Sequence, residues 1–99
     1  MAQFDLFARR GGPGLLVDCQ ADALSRLSTR FVVPALPRDI VPAPVTHLNP
    51  VLEFEAQRFV LLPQNAATIL LRELGQAVGS FAAHRFEIMN ALDMLLTGY

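Results

Sequence analysis

Apolar residues fall in short runs through the first two thirds of the chain and at helical spacing near its end. "QFDLFA" (3–8) is rich in aromatics and predicts a strand, closed by the turn signal "RRGGPG" (9–14). A hairpin then leads into "LLVDC" (15–19). "QADALSRLS" (20–28) suits either one helical turn or a packed loop. "TRFVVPAL" (29–36) is β-branched and predicts a strand, with Pro34 at its end or at a bulge, because proline cannot donate to a ladder. Pro37, Pro42 and Pro44 make "PRDIVPAP" a stiff connector.

The clearest β signal is "PVLEFEAQRFVLLP" (50–63). Val51 to Phe54 and Arg58 to Leu62 flank the turn Glu55-Ala56-Gln57, a hairpin with one face on a core. "ATILLREL" (67–74) reads as helix by composition and as strand by its place after a hairpin. From Ser80 onward the pattern is helical, with Ser80 as the predicted N-cap. Glu87, Asn90, Asp93 and Thr97 form a narrow polar stripe. Phe81, Ile88, Met89, Leu92, Leu95 and Leu96 fill the rest, so this helix is expected to have neighbours on more than one side. One amphipathic helix on an antiparallel sheet is an α+β layout, in one domain of 99 residues.

Composition adds an expectation of assembly. Hydrophobic residues make up 53% and charged residues 17%, more apolar sequence than one modest core readily hides, which points to a homodimer. The net charge of −1 and the absence of a basic run beyond Arg9-Arg10 argue against a dedicated nucleic-acid binder. "MAQFDLFARR" has no signal-peptide pattern and no stretch reaches a membrane span. With the lone Cys19, these features predict a cytoplasmic protein without an internal disulfide.

Catalytic motifs are weak. "GGPG" lacks a following Gly-Lys-Ser/Thr and reads as a turn. Cys19 has no histidine nearby in sequence and reads as a small buried hydrophobe. His47 and His84 fit no metal-ligand spacing. His84, Arg85 and Glu87 could suggest acid–base work, but helix-surface residues are the plainer account. The pattern indicates neither an enzyme nor a cofactor.

Six stretches, taken together, resemble the CcdB family of bacterial toxin–antitoxin modules: "QFDLF" (3–7), "LVDCQAD" (16–22), "RFVVPAL" (30–36), "LNPVLEFEAQRFVLLP" (48–63), "LGQAVGS" (74–80) and "HRFEIMNALDMLLTGY" (84–99). Each alone is unspecific. More specific is the combination of an early Gln-Phe, Val17-Asp18-x-Gln20, Leu48-x-Pro50-Val51 and the ending Ala91-x-Asp93-x-Leu95-x-x-Gly98.

The resemblance implies an SH3-like antiparallel core sheet or barrel, a small extra sheet and one long C-terminal helix, and it implies strand for "ATILLREL". It also implies a homodimeric toxin that binds the A subunit of DNA gyrase and traps the cleaved-DNA complex, neutralised by a CcdA-like antitoxin. Such a toxin performs no bond chemistry and needs neither membrane nor sequence-specific nucleic-acid contacts of its own. The positions carried over for gyrase contact are Gln3, Phe4, Phe7, Asp93, Leu96, Thr97, Gly98 and Tyr99. One departure stands out: Thr97 replaces the tryptophan that stacks on a gyrase arginine, a contact worth roughly 0.5–2 kcal/mol. Tyr99 replaces a terminal aliphatic residue. The rival readings are a MazF/Kid-like RNA-cleaving toxin using Thr29, Arg30 and Arg9-Arg10, and a degenerate relative that binds only its antitoxin.

Overall fold

The computed structural model describes residues 2–98. Seven strands precede one helix: β1 (Asp5–Ala8), β2 (Leu15–Asp18), β3 (Thr29–Pro37), β4 (Val51–Phe54), β5 (Gln57–Leu61), β6 (Ala67–Leu70), β7 (Gly79–Ser80) and α1 (Arg85–Thr97). The sheet is antiparallel and runs β4-β5-β3-β2-β1-β7, with β6 branching from β3. It curls into a half-barrel, with α1 laid against one face, the α+β arrangement expected.

Strand β3 organises the sheet because its two halves take different partners. Its first half, Thr29 to Val32, pairs with β6, and Ala35 to Pro37 pairs with β5. The small extra sheet is thus a branch of the main one. Pro34 corrects the expectation of a strand end or bulge, since it lies inside the strand, opposite Leu16. The handover explains why it is tolerated. The pairing of Cys19 N–H with the Phe31 carbonyl fixes the alternation on the β2 side, so the Pro34 nitrogen points the other way. There β5 is leaving and β6 has not begun. The Pro34 carbonyl still accepts the Leu62 amide at 2.9 Å.

Side-chain alternation gives the sheet two buried faces. On one, Leu6, Leu15, Val17, Val33, Ala35, Phe59 and Leu61 pack with Phe81, Ile88 and Ala91. On the other lie Phe7, Val32 and Val60, also buried. At Gly79 the chain passes close against the β4–β5 hairpin, since a Cβ there would collide with the Phe54 ring.

Three boundaries differ from the sequence reading. β1 begins at Asp5, because Phe4 takes φ 72° and turns the chain into the strand. β6 stops at Leu70, and Leu71–Glu73 forms a 3-10 turn, so "ATILLREL" is strand only in its first half. Ser80 lies in β7 and its hydroxyl accepts the Ala82 amide at 3.0 Å. It closes the 3-10 turn Ala82–His84 ahead of the helix and does not cap α1, which starts at Arg85. The β4–β5 connection is also tighter than expected: two residues, Glu55 (φ 52°) and Ala56 (φ 62°), both left-handed.

Candidate functional site at the end of the C-terminal helix

Helix α1 is anchored by one stripe. Ile88 and Ala91 are fully buried, and Met89 and Leu92 pack against the core beside them. Past Leu92 no residue of the helix is fully buried. Leu95 is 41% and Leu96 78% exposed, and Phe86 is 79% exposed at the other end. At 100° per residue, Phe86, Asp93 and Leu96 fall outside the Ile88, Ala91 and Leu92 stripe that faces the core. Within the chain the helix is held through that stripe, with Met89 and Met94 half-buried on its two flanks.

Local sequence explains how α1 ends. The Thr97 hydroxyl donates to the Asp93 carbonyl at 2.7 Å, one turn back. Gly98 follows at φ 82°, its amide bonded to the Met94 carbonyl at 2.9 Å. This is the left-handed exit that glycine permits at low cost. Asp93, Leu96, Thr97 and Gly98 are all exposed on the final turn. Tyr99, the last position carried over from the resemblance, lies outside the described residues.

The N-terminal candidates sit elsewhere. Gln3 donates through Nε2 to the Cys19 carbonyl at 3.0 Å, and its amide donates to Asp22 Oδ1 at 2.7 Å. Its Oε1 accepts from Arg85 Nη1 at 3.1 Å, and the Arg85 guanidinium lies 5.6 Å from the Phe4 ring centre. Gln3 is therefore held against the start of α1, whereas Leu96 lies about 16 Å further along the helix axis. One chain does not bring the two groups together. Phe4 is 2% and Phe7 1% exposed, so within the chain both rings serve as core. Arg85, which ties Gln3 and Phe4 to the helix, carries no sequence signal for that role because its partners are more than 80 positions away.

The remaining titratable groups are structural in character. Arg30 Nε faces Asp18 Oδ2 at 3.5 Å, and its other nitrogens donate to the carbonyls of Ser25, Leu27 and Thr29. An arginine so enclosed is not presented to RNA, which removes one of the residues on which the RNA-cleaving reading relied. Burial is the largest cause pushing the Asp18 carboxyl up, against the lowering effects of the Gln20 amide and Arg30. Burial, with the Asp18 charge beside it, pushes the Cys19 thiol up to about 12. A thiol protonated at neutral pH is a poor nucleophile. His84 Nδ1, just ahead of α1, and Glu87 Oε2 in its first turn lie 2.8 Å apart. Among the described residues no group of three His, Cys, Asp or Glu side chains is placed to hold a metal ion, and no helix is long and apolar enough to cross a membrane.

Comparison with curated proteins gives no match. The sequence model of the family described as CcdB protein, in contrast, matches residues 3–98, nearly the whole chain and every element of the half-barrel and helix. The chain belongs to the CcdB family of toxins.

Proposed function

We propose that the protein is the toxin of a toxin–antitoxin pair that acts as a homodimer on the A subunit of DNA gyrase, trapping the enzyme on cleaved DNA. The observation that carries this reading is the final turn of α1. Leu96 stands 78% exposed on a helix whose opposite stripe is fixed in the core. Asp93, Thr97 and Gly98 are exposed beside it.

A rigid, apolar helix end has few side-chain rotamers to immobilise on binding, so little of its contact energy is lost to ordering. Two such ends related by a dyad would make a compact plug for a cavity in a dimeric target. The same dyad could bring Gln3 of one protomer toward the helix end of the other, which the distance within one chain does not allow. Phe4 and Phe7, buried in the chain, would then act by holding β1 and Gln3 in place. Asp93 and Thr97 would supply the polar rim, and Tyr99 the terminal aromatic that follows Gly98.

Neutralisation by an antitoxin completes the reading. The test is a pull-down of gyrase from purified subunits, followed by an assay for the cleaved complex. Retained gyrase with accumulated double-strand cleavage supports it. A protein that neither binds gyrase nor arrests growth on induction would leave only the antitoxin-binding role.

A further inference from the structure

Arg85 stands where a helix does not favour it. It is the first residue of α1, at the end where the helix dipole is positive and a cation is disfavoured. Among the described residues no carboxylate pairs with it. Its guanidinium reaches instead to the other end of the chain, donating to Gln3 Oε1 at 3.1 Å and lying over the Phe4 ring, 5.6 Å from its centre. One exposed hydrogen bond is weak in water, but the stack on Phe4 holds the planar group in place while it donates.

What the guanidinium covers is a tight turn. The Ala2 carbonyl accepts the Asp5 amide at 3.0 Å, and the Ala2 amide donates to Asp5 Oδ2 at 2.9 Å. Gln3 and Phe4 are the central residues, and of the two only Phe4 is left-handed, at φ 72°. The turn is therefore of type II, whose third position ordinarily takes glycine. A buried phenylalanine in that conformation persists only where its surroundings over-determine it. Here the Phe4 carbonyl accepts the Phe81 amide, and Arg85 lies over the ring.

Gln3 consequently has one orientation. Its main-chain amide is held by Asp22 Oδ1 and its Nε2 by the Cys19 carbonyl. That carbonyl only accepts and the guanidinium only donates, so a flipped side-chain amide would set oxygen against oxygen and N–H against N–H. One N–H and one lone pair of Gln3 remain for a target, in a fixed plane.

We propose that Arg85 is a positioning residue of the target contact, which pins the Gln3 side chain so that it meets the gyrase A subunit already ordered. The role rests on the gyrase reading. A free glutamine gives up several rotamers on binding, and Arg85 removes that cost beforehand. Arg85 acts through Gln3 and does not itself touch the target.

The test is a double-mutant cycle on the full chain, with affinity for the purified gyrase A subunit measured by calorimetry. Arg85→Met, which keeps the length of the side chain but cannot donate, should bind about fivefold more weakly than the parent. In a Gln3→Ala background the same change should cause no further loss. Arg85→Lys, which still donates, should recover part of the affinity. In the free protein, nitrogen relaxation should find the Gln3 side-chain amide ordered in the parent and mobile in Arg85→Met. Melting curves confirm that each variant is folded, and Arg85 is exposed. Parental affinity in Arg85→Met, independent losses in the double variant, or an equally ordered Gln3 amide would overturn this proposal alone. A parent chain that does not bind gyrase would overturn it together with the reading on which it rests.

Discussion

Arg30 and Asp18 form an enclosed ion pair between β3 and the end of β2, at 3.5 Å and with side chains 5% and 4% exposed. The pair is completed by hydrogen bonds, from Arg30 to three carbonyls of the 25–29 segment and from the Gln20 amide to Asp18 Oδ1. Such a pair adds little net stability over an apolar one, but removing one member strands the other.

Arg30→Met should therefore cost about 3 kcal/mol at neutral pH. Asp18 also sets how this cost depends on pH. Its folded pKa is raised, so its contribution is fully present below the unfolded value and is lost as pH rises through the folded one. Without Arg30 the carboxyl is pushed higher still. The deficit of the variant should then be largest at neutral pH and shrink toward pH 4. Urea melts at both pH values measure this, and a deficit independent of pH would mean that the three carbonyl contacts, not the charge, carry the effect.

Cys19 should have an alkaline signature. Its thiol is held protonated up to about 12, from an ordinary value of 9.0. A raised folded pKa gives stability that is present below 9 and lost as pH climbs toward 12. By pH 10 the loss should be about 1 kcal/mol. Cys19→Ser should lack this decline, while costing roughly 1 kcal/mol or more at pH 7 for the buried hydroxyl. The chain contains no lysine, and its single tyrosine and amino terminus are common to parent and variant. Parallel slopes for parent and variant between pH 8.5 and 10.5 would refute the assignment.

The Glu55-Ala56 turn is the other local cost. Both residues are left-handed, as a two-residue hairpin requires, but the sequence offers neither asparagine nor glycine. Ala56→Gly should stabilise the fold by about 0.5–1 kcal/mol, a rise of roughly 3–6 °C in Tm for a domain of this size. An unchanged or lower Tm would show that the turn is not strained.

These cases show what the sequence could and could not tell. Strand and helix positions were legible because period-2 and helical spacing are local, and the spacing of β4 and β5 fixed a hairpin before any contact was known. The split partnership of β3 was not legible. It depends on where β5 leaves and β6 begins, so Pro34 looked like a strand end when it marks a change of neighbour. The helix start was misplaced for a related reason: Ser80 has a capping side chain, but pairing with Asp5 draws it into β7. At the site, the glycine exit was legible in the local sequence, whereas Leu96 sat among the apolar positions of the helix by pattern and became a contact candidate only through the family resemblance. The enclosure of Phe4 and Phe7 was not legible, since aromatic residues in a short strand look alike whether they face a partner or their own core.

Assembly is testable by mass. Phe86 and Leu96 lie nearly bare on α1, and Val45, Ile40 and Val78 are about half exposed elsewhere, an apolar excess that a second copy would cover. Light scattering at micromolar concentration should give twice the chain mass. A monomer would remove the dyad on which the plug geometry depends.

The sharpest prediction concerns residues 97–99. The buried stripe of α1 ends with Ala91, Leu92 packs beside it, and Leu95 is already 41% exposed. Thr97 and Gly98 are tied to the fold mainly by their bonds to the carbonyls of Asp93 and Met94, both within the same helix. Deleting residues 97–99 should consequently cost little stability, within about 1 kcal/mol. At the centre of a binding surface, the same truncation commonly costs 2 kcal/mol or more. Growth arrest on induction should be lost while melting temperature and mass are kept. Thr97→Trp should strengthen arrest, because it supplies an aromatic ring where a cation on the target can stack. Its partners in the fold are not disturbed: the Thr97 hydroxyl bonds only to its own helix, and the side chain is exposed. Persistent arrest by the truncated chain would place the target contact elsewhere on the molecule, and failure of the truncated chain to fold would assign these residues to the core.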